Sequence, residues 1–334
     1  MSVDFWKFVH RRLSADERLF LAHVARHSRH SPGTTGARLA VGEDGTTRGT
    51  IGGGIMEADV LQQAEKALDA GDYTPRYERL FHRPTAPDDD HSRSSGLNCA
   101  GNQTNVYHLV DPAEDRRIVD EIVTRIENDA TGRIHISANG LQLDDYTPEQ
   151  IEPPHRFEGG DSWRFSSLLL NWKRIAIIGG GHCGLALSRV MTQLGYTVTV
   201  FENRPDVFTF TNNDHATHRI TVDDYAEAGS HIDHRHWTHV VVMTANQPDD
   251  VRGLYGVADD PYPYIGVMGA PAKLAHIRSD LEDLGISSKT IDRFYAPIGL
   301  DMTSNTPEEI AISVAAEILR ERNELFPFTR SPDH

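Results

Sequence analysis

The chain has 334 residues, and 49 acidic against 33 basic side chains leave it with a formal charge of −16. That length exceeds the roughly 100–200 residues of an ordinary domain, so two domains are expected. The acidic balance repels phosphate backbones and anionic lipid and argues against nucleic-acid and membrane partners.

Two cysteines, Cys99 and Cys183, are too few for a disulfide framework. The opening residues carry no basic-then-apolar leader, and no apolar run nears the ~18 residues of a membrane span, so a cytoplasmic location is expected. In chain order, Leu19 to Ala25 and Arg38 to Val41 read as a strand pair around a turn at Gly33, Gly36 and Ala37. Gly52, Gly53 and Gly54 then open a helix from Met56 to Ala70. After a loop rich in Pro, Asp, His and Arg come a strand from Gln103 to Leu109 and a helix from Pro112 to Asn128. These make a smaller α+β N-terminal domain over residues 1–130. The polar, proline-bearing stretch 131–168, with Pro148, Pro153, Pro154 and Gly159-Gly160, reads as the interdomain linker.

Residues 169–328 alternate strand and helix: Lys173 to Ile178, Cys183 to Leu194, Thr197 to Glu202, Val240 to Thr244, Tyr264 to Val267, Pro271 to Leu284, and Pro307 to Arg322. Such alternation implies a Rossmann-like, doubly wound parallel sheet, so the fold class is α/β. Its phosphate-binding turn is Gly179-Gly180-Gly181-His182-Cys183-Gly184, which follows an apolar strand and opens a helix. Gly179 permits the tight turn, Gly181 lets the main chain approach phosphate oxygens, and Gly184 lets helix pack on strand. Glu202, 18 residues after Gly184, is placed to accept hydrogen bonds from a ribose diol, while Arg204 leaves room for a 2′-phosphate. Read alone, these residues point to NAD(P). The alternative is a turn that serves only to pack strand against helix. Cys183 reads as a small apolar packing residue rather than a thiolate.

Several separated motifs resemble the XdhC/CoxI family, accessory proteins for xanthine dehydrogenase and related molybdenum hydroxylases. They are Ser31-Pro32-Gly33 with Gly36-Ala37-Arg38, Gly49 to Gly54 with Glu57, Gly96 to Gly101 around Cys99, and Gly179 to Gly184. Tyr264-Ile265-Gly266 with Gly269 and Lys273, and above all Pro297 to Asp301 followed by Thr306 to Ala311, complete the set. The resemblance implies a maturation factor that binds molybdenum cofactor (molybdopterin), assists its sulfuration, and inserts it into a xanthine dehydrogenase-type hydroxylase. That hydroxylase and a cysteine desulfurase are the implied partners. The chain departs from the family pattern in having Ile55 where a cysteine commonly follows the glycines. It also has Ala245-Asn246-Gln247 where His and Asp are usual, and Ala270-Pro271 where Ser-Arg is frequent.

The remaining candidates have two readings each. Cys99 is either a soft ligand to molybdenum or a persulfide carrier, or else a buried small residue. Glu57 either favours its helix dipole or orients a bound pterin. Asp301 is expected to face the crevice at the carboxyl edge of the sheet, and Lys273 to offset a phosphate charge. Thr306, Pro307 and Glu309 have capping-box spacing. The histidine groups His23, His27, His30 and His231, His234, His236, His239 are expected to be solvated, because nothing completes a zinc pattern. The competing functions are an NAD(P)-dependent oxidoreductase, for which no catalytic pair is evident, and a nucleotide-sensing regulator. A homodimer is expected from the commonness of two-fold symmetry.

Overall fold

The computed structural model describes residues 3–71, 73–98 and 101–325. The first elements are α1 (Val3–Ser14), β1 (Leu19–His27), β2 (Arg38–Gly42), β3 (Thr47–Thr50), α2 (Gly54–Ala70), β4 (Arg76–Phe81), β5 (Ser92–Ser94), β6 (Asn102–Val110) and α3 (Pro112–Glu127). The strands form one sheet in the order β3-β2-β1-β6-β4-β5, antiparallel except for the β4–β5 pair. Successive residues of β1 point to opposite faces, and both faces are covered. Phe20, Ala22 and Val24 pack with Val60, Ala64 and Leu68 of α2. Leu19, Leu21 and Ala25 pack on the other face with Phe5, Trp6 and Val9 of α1 and Val119 and Ile122 of α3. Each fully buried Val, Leu, Ile or Phe among them contributes on the order of 1.5–3 kcal/mol.

The stretch expected to be a linker is folded. β7 (Arg133–Ser137), β8 (Gly140–Asp144), β9 (His155–Glu158) and β10 (Arg164–Leu168) form an antiparallel sheet in the order β8-β7-β10-β9. Ile134, Ile136, Leu141, Phe157 and Phe165 from this sheet join the core under α1 and α3. The difference has a physical cause: β8 and β9 are short and largely solvent-facing, so polar side chains mask an alternation that only a few apolar residues carry.

Two compact units divide the chain close to residue 170. The second contains β11 (Arg174–Ile178), α4 (His182–Gln193), β12 (Thr197–Glu202), α5 (Phe208–Thr211), β13 (His218–Thr221), β14 (Thr238–Val242), α6 (Gln247–Tyr255), β15 (Tyr264–Val267), α7 (Pro271–Asp283), α8 (Ser288–Ile291) and α9 (Pro307–Leu325). All five strands are parallel, in the order β13-β12-β11-β14-β15. One face packs on α6 and α7 through Val251, Leu254, Ile277 and Leu281; the other packs on α4 and α9 through Leu187, Met191, Val314 and Ile318. This is the expected Rossmann arrangement. The strand order reverses between β11 and β14, and their carboxyl ends form the switch point at which such sheets bind ligands. The capping box forms as the spacing suggests: the Glu309 amide donates to Thr306 Oγ1 (3.2 Å), and the Thr306 amide donates to Glu309 Oε2 (3.1 Å). Among the described residues no helix is long and apolar enough to cross a membrane.

Candidate functional site

In the first unit, the motif segments meet through a buried polar network on β6. Gln103 Oε1 accepts from the Ser31 hydroxyl (2.7 Å) and the Gly33 amide (3.2 Å), while its Nε2 donates to Ile51 O (3.2 Å) and Asn105 Oδ1 (2.9 Å). With the Ser31 proton directed at Gln103, His82 Nε2 must donate to Ser31 Oγ (3.0 Å). His82 Nδ1 then accepts from the Ser95 hydroxyl (2.8 Å), whose oxygen accepts the Leu97 amide (3.2 Å). Burial lowers the His82 pKa and keeps this neutral tautomer. The direction of the chain rules out Ser31 as a nucleophile activated by His82, because the imidazole gives a proton to the hydroxyl and takes none from it. The His82 amide also donates to Gly101 O (2.8 Å). His82 thus anchors residues on both sides of positions 99 and 100. Cys99 itself lies outside the described residues.

Gly52, Gly53 and Gly54 all have positive φ (120°, 77° and 64°), which explains three consecutive glycines. A Cβ on Gly52 would also come within 2.6 Å of the Gly33 amide nitrogen. The loop is closed by Glu57, whose Oε1 accepts from the Ile51 amide (2.9 Å), the Gly53 amide (2.9 Å) and the Thr50 hydroxyl (2.5 Å). Burial pushes the Glu57 carboxyl up, but these three donors outweigh it and hold the group below the ordinary range. Neither expected role describes Glu57 fully: it is the internal anion of its own glycine loop, and that loop offers an outside phosphate fewer free donors than its sequence suggests.

The second glycine turn is arranged differently. Gly179 (φ 115°) runs against the carboxyl end of β14, where a Cβ would meet Met243 O at 2.5 Å, and a Cβ on Gly184 would strike Gly179 O. Gly181 caps α4 with open space where its Cβ would be. The first intrahelical bond of α4 runs from the Leu185 amide to Gly181 O, so the amides of the first turn are not used within the helix; that turn carries no acidic residue of its own, and the nearby charge is Glu308 of α9, which acts on Cys183. His182 is exposed on that turn. Cys183 packs partly buried against the α4–α9 core, and burial, with Glu308 adding to it, raises its thiol pKa, which fits packing rather than thiolate chemistry.

Glu202 does not present a carboxylate to a ribose. It is fully buried and accepts from the Gly180 amide (2.8 Å), Arg204 Nε (2.8 Å), Arg204 Nη2 (3.1 Å) and the Tyr225 hydroxyl (2.9 Å). Burial raises its pKa, but Arg204 foremost, then Gly180 and Tyr225, pull it below the usual carboxylate range. Phe210 lies where a Cβ on Gly180 would be, 2.9 Å from its own Cβ, and the Thr209 hydroxyl donates to Gly180 O (2.6 Å). Side chains of the protein therefore fill the side of the turn that would read a diol or a 2′-phosphate.

Lys273 is committed elsewhere as well. Its Nζ pairs with Asp250 Oδ2 (2.5 Å) and donates to Met268 O (3.3 Å), so its charge offsets a buried carboxylate rather than a phosphate. Asp301 differs from all of these. It stands exposed in the loop before α9, has no hydrogen-bond or ion-pair partner among the described residues, and lines a cavity of about 540 Å³. Gly269, Ile298, Leu300, Met302 and Ile310 share that lining, which places the cavity beyond the carboxyl end of β15.

Sequence reasoning assigns no role to His82, Gln103 or Asp250, whose partners are distant in the chain or are backbone atoms. The expectation of solvated histidines also fails at two positions: His23 and His239 are buried, on β1 and β14. Among the described residues no group of three or more His, Cys, Asp or Glu side chains is gathered to hold a metal ion.

Comparison with known proteins gives concordant matches. The model of the XdhC Rossmann domain matches residues 175–318, and that of the XdhC and CoxI family matches residues 12–78. An uncharacterized Escherichia coli protein, YqeB, is 24% identical over 300 residues, covering 89% of this chain, but the matched chain spans only 42% of that longer protein. A Bacillus subtilis protein, named as a probable component of xanthine dehydrogenase, is 23% identical over 93% of this chain and 95% of its own length. A Bacillus halodurans crystal structure, described as a xanthine dehydrogenase, shares the fold with a TM-score of 0.71 at 21% identity, covering 97% of this chain and 96% of that one.

Proposed function

The chain belongs to the XdhC and CoxI family, and from that membership we propose that it serves a xanthine dehydrogenase-type molybdenum hydroxylase by binding molybdenum cofactor as cargo for sulfuration and insertion. The observation that carries this reading is the carboxyl edge of the parallel sheet. It has open amides on the first turn of α4, suited to a phosphomonoester, together with a cavity large enough for a small organic ligand. Cys99 is the proposed soft contact to molybdenum, with a cysteine desulfurase as the sulfur source. NAD(P) fits less well, because Glu202 and Arg204 satisfy one another and Phe210 packs on Gly180.

The test is the content of protein purified from cells that make the cofactor. Molybdenum and oxidised pterin are expected in near-equal amounts, and Cys99→Ser is expected to lose molybdenum several-fold with little change in melting temperature. Protein free of pterin and molybdenum that instead binds NADH or NADPH saturably and transfers hydride would overturn the proposal.

A further inference from the structure

We infer that the cavity beside Asp301 recognises a flat bicyclic aminopyrimidinone by its hydrogen-bond donor edge, the ring nitrogen and adjacent exocyclic amino group that a pterin presents. The inference rests on the cargo reading above and names the part of the cargo this cavity holds.

The fold uses Glu57, Glu202 and Lys273 internally, whereas the carboxylate of Asp301 has no partner among the described residues. Among the described residues it is also the only formally charged side chain lining the cavity. A cavity with one carboxylate and no cation does not favour a phosphate and does favour a donor edge, because a carboxylate accepts two parallel N–H bonds at once.

Met268, Ile298, Leu300, Met302 and Ile310 give the cavity apolar walls suited to the faces of an aromatic ring, and its volume lies within the ~300–1,000 Å³ of small-molecule sites. The remaining polar groups are committed. The Ser313 hydroxyl donates to Leu300 O (2.9 Å), the Gly299 amide to Glu317 Oε2 (2.9 Å), and the exposed Ser304 hydroxyl more distantly to Met302 O (3.5 Å). Glu317 is buried and also accepts from the Tyr264 hydroxyl (2.6 Å), which ties the loop to β15. Gly299 has φ 98°, and a Cβ there would come within 2.6 Å of Ser313 Oγ. These contacts fix the loop and leave Asp301 as the free acceptor.

Pterin and guanine share this donor edge, and titration separates the two sources. Full-length protein is titrated with 2-amino-4-oxopteridine, with 2,4-dioxopteridine, which lacks the amino donor, and with guanosine 5′-monophosphate, following ligand or tryptophan fluorescence. The aminopteridine is expected to saturate and the dioxo compound to bind at least about tenfold more weakly, because a carboxylate left without its donors rejects the analogue. Asp301→Asn is expected to weaken aminopteridine binding about tenfold without shifting the melting temperature, since the carboxylate has no partner among the described residues. Equal binding of the two pteridines, or an unchanged affinity in the variant, overturns the inference while leaving the molybdenum assay to judge the cargo reading. Binding of the guanine nucleotide alone, lost in the variant, upholds the donor-edge recognition and overturns the pterin cargo.

Discussion

Lys273→Met is expected to lower the unfolding free energy by about 2–3 kcal/mol, less than the full cost of breaking a buried ion pair because the Lys273 side chain is 29% exposed while Asp250 is buried. The reason lies with Asp250, which is fully buried. One of its oxygens accepts from the Thr244 amide (3.0 Å) and hydroxyl (2.7 Å), and the other faces Lys273 alone. Without the ammonium that second oxygen is left unpaired in an apolar interior, and the carboxyl ends of β14 and β15 must open to water to satisfy it. Urea denaturation measures the loss. A second substitution, Asp250→Asn, made in the Lys273→Met background, is expected to recover part of it, because it removes the charge left behind. An unchanged urea midpoint combined with weakened phosphate binding would restore Lys273 to the role its sequence position suggests.

The second large effect is a loss of stability in mild acid. His108 is buried and His155 half-buried, and desolvation lowers both to about 3; His23 is held well below its ordinary value by burial and then by His108. His23 and His108 stack with ring centroids 5.4 Å apart, and Arg38, itself buried, faces His23 and His155 with a like charge. The unfolded chain takes up these protons near pH ~6.5, whereas the folded chain resists them until about pH 3. Stability is therefore fully present above pH ~6.5 and declines as pH falls toward 3, by about 1.4 kcal/mol per histidine per pH unit. At pH 5 that amounts to roughly 2 kcal/mol for His108 and less for His155, whose partial exposure screens the effect. Asp115 works the other way: burial raises it to about 6, so it gains a proton in the fold first and offsets part of the loss. Denaturant unfolding at pH 7.5, 6 and 5 gives the slope. His108→Phe is expected to flatten it by one proton, since both His108 ring nitrogens lack a partner among the described residues. A variant as acid-sensitive as the parent would exclude His108 from the effect.

The parts of this structure legible in the sequence are those set by short-range pattern. Ile175 to Ile178 followed by the glycine turn locate β11 and α4, and Thr306 with Glu309 locates the start of α9, because strand periodicity and capping act within a few residues. β8 and β9 are hidden because half-exposed strands carry too few apolar side chains to stand out. Within the candidate site, residue type and spacing identify Glu57, Glu202, Lys273 and Asp301 as chemically capable groups. Whether each charge is free depends on partners such as Gly180, Tyr225 and Asp250, which only the folded chain brings near. His23 defies its sequence reading for a related reason. It lies in phase with Leu19 and Leu21 on β1, and a strand covered on both faces buries whatever stands on either parity. The register pairs Leu21 with His108, which sets His23 and His108 as diagonal neighbours on one face.

The closure of the first glycine loop by Glu57 makes the two turns thermodynamically unlike. A loop that carries its own counter-anion is already in its bound shape, so added phosphate has little to stabilise there. The turn ahead of α4 engages its internal carboxylate, Glu202, only through the Gly180 amide and leaves the first-turn amides of the helix unused, so an anion bound there would come from solution and its occupancy would follow the supply of ligand by mass action. In this molecule one glycine turn is closed into the scaffold by Glu57, while the other keeps helix-terminal amides outside the helix's own bonding.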